Sequence, residues 1–298
     1  AIAQQVDKKP GALTESDLLN IKTLNITPDP LKYEGVYDHS IIGKMKNLTS
    51  LTIRFHYKDA SFFKNLHQLL SLDISGASPT KLPDFTSLKQ LETLKLTNSA
   101  IEDLGFLKNL PNLKVLDLAH NNIQELTWVG SLKHLETLNV NHNALIDLDP
   151  LKGMASLTKL DVMNNRLTSL AGLSEMTHLK VLYARNNHIR NTKGLENLHQ
   201  LSVLDLDNNP VASLAFLKND PVLETLLLQG TNVSDLSILK NKDALSLLDI
   251  RRTRVSSVAP LKGLSQLKTL ELDKNLISDW KTLKDHKGLT ITEETNLG

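Results

Sequence analysis

The sequence predicts an α/β solenoid: a curved horseshoe with a parallel β-sheet on its concave face and short helical, 3-10 or irregular segments on its convex face. Three observations carry that prediction. Leucine recurs in one frame at Leu69, Leu91, Leu113, Leu135, Leu157, Leu179, Leu201, Leu223, Leu245, Leu267 and Leu289, every 22 residues and without an insertion. Within a period the pattern is L-x-x-L-x-L-x-x-N-x-I/L, as in Leu113, Leu116, Leu118, Asn121 and Ile123 of LKVLDLAHNNIQEL. The L-x-L half of that pattern alternates inward and outward, as a short parallel strand does. A fixed period of this form is the signature of leucine-rich repeats, in which each unit buries its apolar face only by stacking on its neighbours.

Taken in order, residues 1–13 read as a polar tail or linker stump; they carry the Pro10-Gly11 pair and start without methionine, which suggests a processed or trimmed end. Residues 14–47 read as an N-terminal cap with an irregular first repeat. Thr14 is placed to cap a short helical turn with Asp17 near its N-terminal end, followed by a strand over 23–26. A cap is a physical requirement here, because the first repeat would otherwise expose its open apolar end. The frame then breaks at Pro28, Pro30 and Gly35 before Ile41, Ile42 and Met45 resume helical spacing. Six of the chain's aromatic residues fall between Tyr33 and Phe63: Tyr33, Tyr37, Phe55, Tyr57, Phe62 and Phe63. Two readings stand for them, closure of the solenoid's end or contact with a ligand.

The solenoid proper spans 48–291, and 292–298 reads as a C-terminal cap or tail. Leucines at frame positions one, four and six face the core. The asparagine position holds Asn121, Asn143, Asn165, Asn187, Asn209 and Asn275, where a carboxamide serves loop backbone groups as both donor and acceptor. Ser99, Thr231 and Thr253 replace it with a hydroxyl that does part of that work. Asp220 and Lys242 fall where Leu110 or Leu132 sit in other repeats; the expectation is that they are solvated on the convex return segment.

Composition narrows the function. Formal net charge is +1, so no global field attracts nucleic acid or an acidic membrane. Cysteine is absent, and no apolar run is long enough to span a bilayer. Enzyme signals are poor. His120 and His142 share a frame position in neighbouring repeats, within metal-bridging range, but no third organised ligand joins them. No nucleophile is set beside a base. Neither a catalytic residue, a metal nor a cofactor is expected.

What differs between repeats is the outward residues. The fifth frame position reads Asp73, Lys95, Asp117, Asn139, Asp161, Tyr183, Asp205, Leu227, Asp249, Glu271. Alternate acids on strands ~4.8 Å apart lie about 9.6 Å from one another, too far to share one Ca²⁺. They form either a solvated polar face or an electrostatic partner surface. A second feature stands beside them. Val181, Val203, Thr225 and Leu247 occupy the third position of four consecutive repeats, Tyr183 and Leu227 add to them from the fifth, and Met163 borders the set. Arg185, Arg251 and Arg252 are expected along its edge. Apolar and aromatic residues ringed by arginine have the composition of a binding hot spot. The predicted partner-binding face therefore comprises Met163, Val181, Tyr183, Arg185, Val203, Asp205, Leu227, Leu247, Asp249, Arg251 and Arg252. On the convex side Lys218, Lys240, Lys262 and Lys284 share one frame position, either attracting sulfated glycans or an acidic partner or simply keeping the edge solvated.

The phrases LDLAHNNIQEL, LIDLDPLKGMASLTKLDV and VSSVAPLKGLSQLKTLEL resemble the internalin-type repeats of Gram-positive surface proteins, and TESDLLNIKTLNI is similar to the D-L-x-x-I-x-x-L entry of that family. The resemblance covers about 14–291. It implies a secreted or wall-associated bacterial adhesin of the virulence type whose concave face grips a host protein, either a cell-surface receptor or an extracellular-matrix component such as collagen. Any anchor or signal would then lie outside this chain, which itself inserts into no membrane. The 22-residue repeat also resembles intracellular scaffolds that regulate phosphatases, and that alternative stays open.

Overall fold

The computed structural model describes residues 12–27, 40–54, 57, 59–78, 80, 82–274 and 276–293. They belong to two compact units, Ala1–Ile123 with Thr127–Asn143 and Gln124–Leu126 with Ala144–Gly298.

The first unit opens with helix α1, Glu15–Asn20. Thr14 makes the helix start here: its hydroxyl accepts the Asp17 N–H at 3.3 Å, and the Asp17 carboxylate accepts the Thr14 N–H at 2.7 Å. Six strands follow, β1 Thr23–Ile26, β2 Ser50–Ile53, β3 Ser71–Asp73, β4 Thr93–Lys95, β5 Val115–Asp117 and β6 Thr137–Asn139. They pair in parallel and in sequence order. The register sets Leu51, Leu72, Leu94, Leu116 and Leu138 side by side, all fully buried. Short 3-10 turns, such as Gly105–Asn109, carry the chain back between strands. Tyr57, Phe62 and Phe63 are buried against one another, with Phe62 stacked on Phe63 at 4.3 Å and Tyr57 meeting both edge-on. These three fill the core and face no ligand. Tyr33, Tyr37 and Phe55 lie outside the described residues.

The second unit continues with β7 Lys159–Asp161, β8 Val181–Tyr183, β9 Val203–Asp205, β10 Thr225–Leu227, β11 Leu247–Asp249, β12 Thr269–Glu271 and β13 Thr290–Thr292. These also pair in parallel, in sequence order. Within this unit the 22-residue frame slips once, as it does in the first unit between β2 and β3, where Ser50 pairs with Ser71. Thr269 pairs with Thr290, so the last step is 21 residues long. Leu289 therefore precedes the strand by one place and is only half-buried, while Ile291 stands opposite Leu270.

The asparagines hold the turns together. Asn121 Oδ1 accepts the N–H groups of Ser99 and Ile101 at 3.0 and 2.9 Å, and its Nδ2 donates to the carbonyls of Leu96, Leu118 and Ala119. Asn209 repeats this in the second unit, accepting from Ile189 and donating to Ala184, Leu206 and Asp207. Thr231 and Thr253 each reach one carbonyl in the same place, of Leu228 and Ile250. Asn275 lies outside the described residues. The residue just before this position adopts left-handed backbone, with φ between 50° and 55° at His120, His142, Asn164, Asn186, Asn208 and Arg252. Asparagine suits that conformation better than most side chains. Asn208 donates to Asn186 and Asn186 to Asn164, at 2.7 and 2.8 Å. Gly230 ends the row because a Cβ there would come 2.5 Å from Asn208 Oδ1.

Asp220 and Lys242 are not solvated. They are 5 % and 6 % exposed, plugging the position that leucine fills elsewhere. The Lys242 ammonium donates to the carbonyls of Leu217 and Asp220, and Asp220 Oδ1 accepts the Val222 N–H. Burial lowers the Lys242 pKa against the pull of Asp220, and burial raises that of Asp220. The lysine stem is long enough to place its charge on carbonyls that water does not reach.

Candidate protein-binding face

The outward row of the second unit is continuous. The pairing sets Val181, Val203, Thr225 and Leu247 directly side by side on β8 to β11. One pleat further along, the row runs Tyr183, Asp205, Leu227, Asp249, so Asp205 separates the tyrosine from the leucine. Each apolar member, and Met163 beside them, is half-buried by its neighbours. The face is thus shallow and close-fitting, with no large apolar side chain standing proud of it.

The acids at the fifth position have a role that their spacing conceals. Oδ1 of Asp117, Asp161, Asp205 and Asp249 accepts the backbone N–H two residues on, from Ala119, Met163, Asp207 and Arg251, at 3.0–3.1 Å. Asp73 does the same for Ser75, and Asn139 for Asn141. Each of these six strands ends where a short acceptor captures that amide, the Asx-turn device. Four of these aspartates, Asp73, Asp161, Asp205 and Asp249, are 9 % exposed or less, which corrects the expectation of a solvated acidic ladder.

The arginines divide. Arg251 lies between Asp249 and Glu271, 2.5 Å from each carboxylate, and is half-buried. Arg185 is exposed, its guanidinium 3.9 Å from Asp207. Arg252 sits off the strand face, on the left-handed corner, where its N–H meets Asp273 at 2.6 Å. The structure therefore gathers Met163, Val181, Tyr183, Arg185, Val203, Leu227 and Leu247 on one face, ties Asp205, Asp249 and Arg251 into its framework, and sets Arg252 at the border.

Two groups on this face carry no signal in the leucine frame. Lys159 reaches over the Tyr183 ring, 5.7 Å from its centroid, because its outward place on β7 adjoins β8. Asp207 follows Asp205 in the run Leu204-Asp205-Leu206-Asp207 and is only 3 % exposed. Burial, joined by the neighbouring carboxylates of Asp205 and Asp249, pushes its pKa up to about 7 against the Gln229 N–H and Arg185. Burial likewise raises that of Asp205. The two acids are legible in the sequence; their burial is not.

His120 and His142, in the first unit, stack with ring centroids 4.0 Å apart and planes within 17°. Near-parallel rings direct their lone pairs side by side instead of converging on one ion. No group of three or more metal-binding side chains occurs among the described residues. No helix among them is long and apolar enough to cross a membrane.

Comparison with known proteins agrees with the strand and turn pattern. The family profile described as "Leucine Rich repeats (2 copies)" matches residues 89–134, 133–175 and 177–219. No curated protein sequence matches the chain. Among solved structures, an internalin (inlF) from Listeria monocytogenes superposes with a TM-score of 0.82 at 24 % identity, over 99 % of this chain and 93 % of that one. The functional domain of InlJ from the same organism gives 0.74 at 21 % identity, over 91 % of this chain and 58 % of that one. That domain includes a cysteine ladder, whereas this chain has no cysteine. A plant peptide hormone receptor, RGFR1, solved in complex with RGF2, gives 0.66 at 19 % identity, over 85 % of this chain and 46 % of that one. The thirteen short parallel strands among the described residues, most of them separated by 3-10 turns, the matched repeats and these likenesses agree: in fold, the chain is an internalin-like leucine-rich-repeat protein.

Proposed function

We propose that the chain is a non-enzymatic protein-binding module of a bacterial surface protein, an adhesin that grips a host protein with the strand face of its second unit. The observation that supports this most is the registered apolar row Val181–Val203–Thr225–Leu247 with Tyr183 and Leu227 beside it. Side chains fixed on strands lose little freedom when a partner covers them, so a shallow, pre-ordered face of this kind binds without a large ordering cost. Tyr183 is the anchor: its ring is held by the sheet on one side and by Lys159 on another. Arg185 is placed at the rim, where an exposed guanidinium meets partner carboxylates and sets the approach. Arg251 has a framework role, since Asp249 and Glu271 already hold it.

The partner class is a host receptor or a matrix protein such as collagen, and the place is the bacterial surface. The test is surface binding to immobilised collagen and to host cells with Tyr183→Ala combined with Leu227→Ser. Loss of more than about 1 kcal/mol of binding energy is expected; unchanged affinity refutes this site. Residence of all the protein in the cytosol would refute the adhesin reading and favour a scaffold.

A further inference from the structure

We infer that the turn side of the second unit is a binding site for a linear, densely sulfated polysaccharide, read by the row Lys218, Lys240, Lys262 and Lys284. The backbone makes this row a geometric object. Lys240, Lys262 and Lys284 each close a 3-10 turn in one conformation, with φ/ψ of −49/−31, −57/−32 and −59/−32°, so their side chains leave the fold in the same direction. Each N–H in turn donates to the carbonyl three residues back, of Ser237, Ala259 and Lys281. Lys218 stands near the end of the Ala215–Asn219 turn in the preceding repeat. All four are exposed.

The same frame position in an earlier repeat supplies the contrast. Lys152 is neutralised by Asp149, three residues back, at 3.1 Å. In the row, that place is held by Ala215, Ser237, Ala259 and Lys281, none of them acidic. Lys218, Lys240 and Lys262 make no ion pair among the described residues, and Lys284 lies 5.8 Å from the Trp280 ring. Lys281 and Lys287 add exposed cations at the far end, while Asp235, Asp243 and Asp285 are exposed acids on these turns. Asp220 and Lys242 lie buried beneath the surface, where Lys242 acts electrostatically on the Asp220 carboxyl, and leave the row uncompensated.

Cations repeating once per strand along a line fit a polymer whose anions also repeat along a line, and such binding draws on counterion release. The chemistry favours sulfates over nucleic acid. The row holds compact ammonium charges, with none of the planar guanidinium forks that grip phosphate bidentately. Single-stranded nucleic acid also wants open aromatic platforms, but beside the row Phe216 is buried and Trp280 is covered by Lys274 at 5.0 Å as well as by Lys284.

The test uses the full chain and a size-defined, fully sulfated heparin octasaccharide, titrated from 50 to 300 mM salt. Lys240→Gln, Lys262→Gln and Lys284→Gln together should lower affinity at least tenfold at low salt and flatten the salt dependence. Lys46→Gln, Lys64→Gln and Lys89→Gln, which remove the same charge from exposed sites in the first unit, should leave both within twofold. Equal losses in the two triple variants, no loss in the first, or tighter binding of a single-stranded oligonucleotide of equal charge would each overturn the assignment. Thermal melts of both variants separate loss of binding from loss of fold. The row lies apart from the strand face, so protein binding through Tyr183 stands or falls independently.

Discussion

Replacing Asp207 by asparagine tests whether the strand face stores electrostatic strain. Asp207 is 3 % exposed, accepts the Gln229 N–H at 2.7 Å, and has the carboxylates of Asp205 and Asp249 for neighbours. Its folded pKa is about 7, against 3.8 for an unperturbed aspartate. A carboxyl whose folded pKa is raised binds its proton more tightly when folded. Its contribution is therefore fully present below the unfolded value and is lost as pH rises through the folded one. About three units at 1.36 kcal/mol each set a ceiling of about 4 kcal/mol at pH 8. Relaxation and water penetration reduce such figures, and about 2 kcal/mol is the expected size. Asparagine keeps the oxygen that accepts from Gln229 and removes the charge. Wild type should lose stability between pH 5 and pH 8, while Asp207→Asn should lose about 2 kcal/mol less over the same interval and be the more stable protein at pH 8. Urea denaturation followed by tryptophan fluorescence at pH 5, 6, 7 and 8 measures this directly. Parallel pH profiles for the two proteins would refute the reasoning.

Two further perturbations separate framework from surface. Lys242→Met removes the donor to two buried carbonyls and leaves Asp220 without its cation, and should cost about 3–5 kcal/mol in urea titrations. Asp220→Leu with Lys242→Leu restores the side chain found at Leu110 and Leu132, and should lie within about 1 kcal/mol of wild type or above it; a double variant no better than the single one contradicts the pairing. Asn209→Ala deprives the Ile189 N–H and three carbonyls of their partner, a loss of about 3 kcal/mol or more, whereas Thr231→Ala breaks one bond and should cost about 1 kcal/mol. Equal melting shifts for these two would show that the carboxamide does no more than the hydroxyl.

Reading the fold needs only the identity of residues that repeat. Leu113, Leu116, Leu118 and Asn121 are buried in the roles that the pattern assigns. Thr14 and Asp17 also declare their helix, because a capping box is local. What the pattern misses depends on where a side chain folds. An aspartate between two core leucines reads alike whether it faces water or turns back on the amide two residues ahead, and Asp205 and Asp249 do the latter. Lys242 reads as solvated because of its charge, although its frame position is the inward one held by Leu110 and Leu132. Leu289 hides the last one-residue slip because a leucine happens to follow Gly288, and only strand register exposes it.

The candidate face was legible as a row and not as a set of roles. Its apolar members alternate on strands whose register follows from the period, so Val181, Val203 and Leu247 had to align. Its charges followed no such rule. Arg251 is taken up by Asp249 and Glu271, and Asp205 by the Asp207 amide, which leaves Arg185 at the rim as the arginine of this face open to a partner. Binding there must draw on apolar contact with Tyr183 and its neighbours, a term that salt hardly weakens. The lysine row on the turns is the opposite case, exposed cations without counter-ions, whose binding must weaken steeply as salt rises. Because each surface lacks what the other supplies, one salt titration of a bound partner tells which of them holds it.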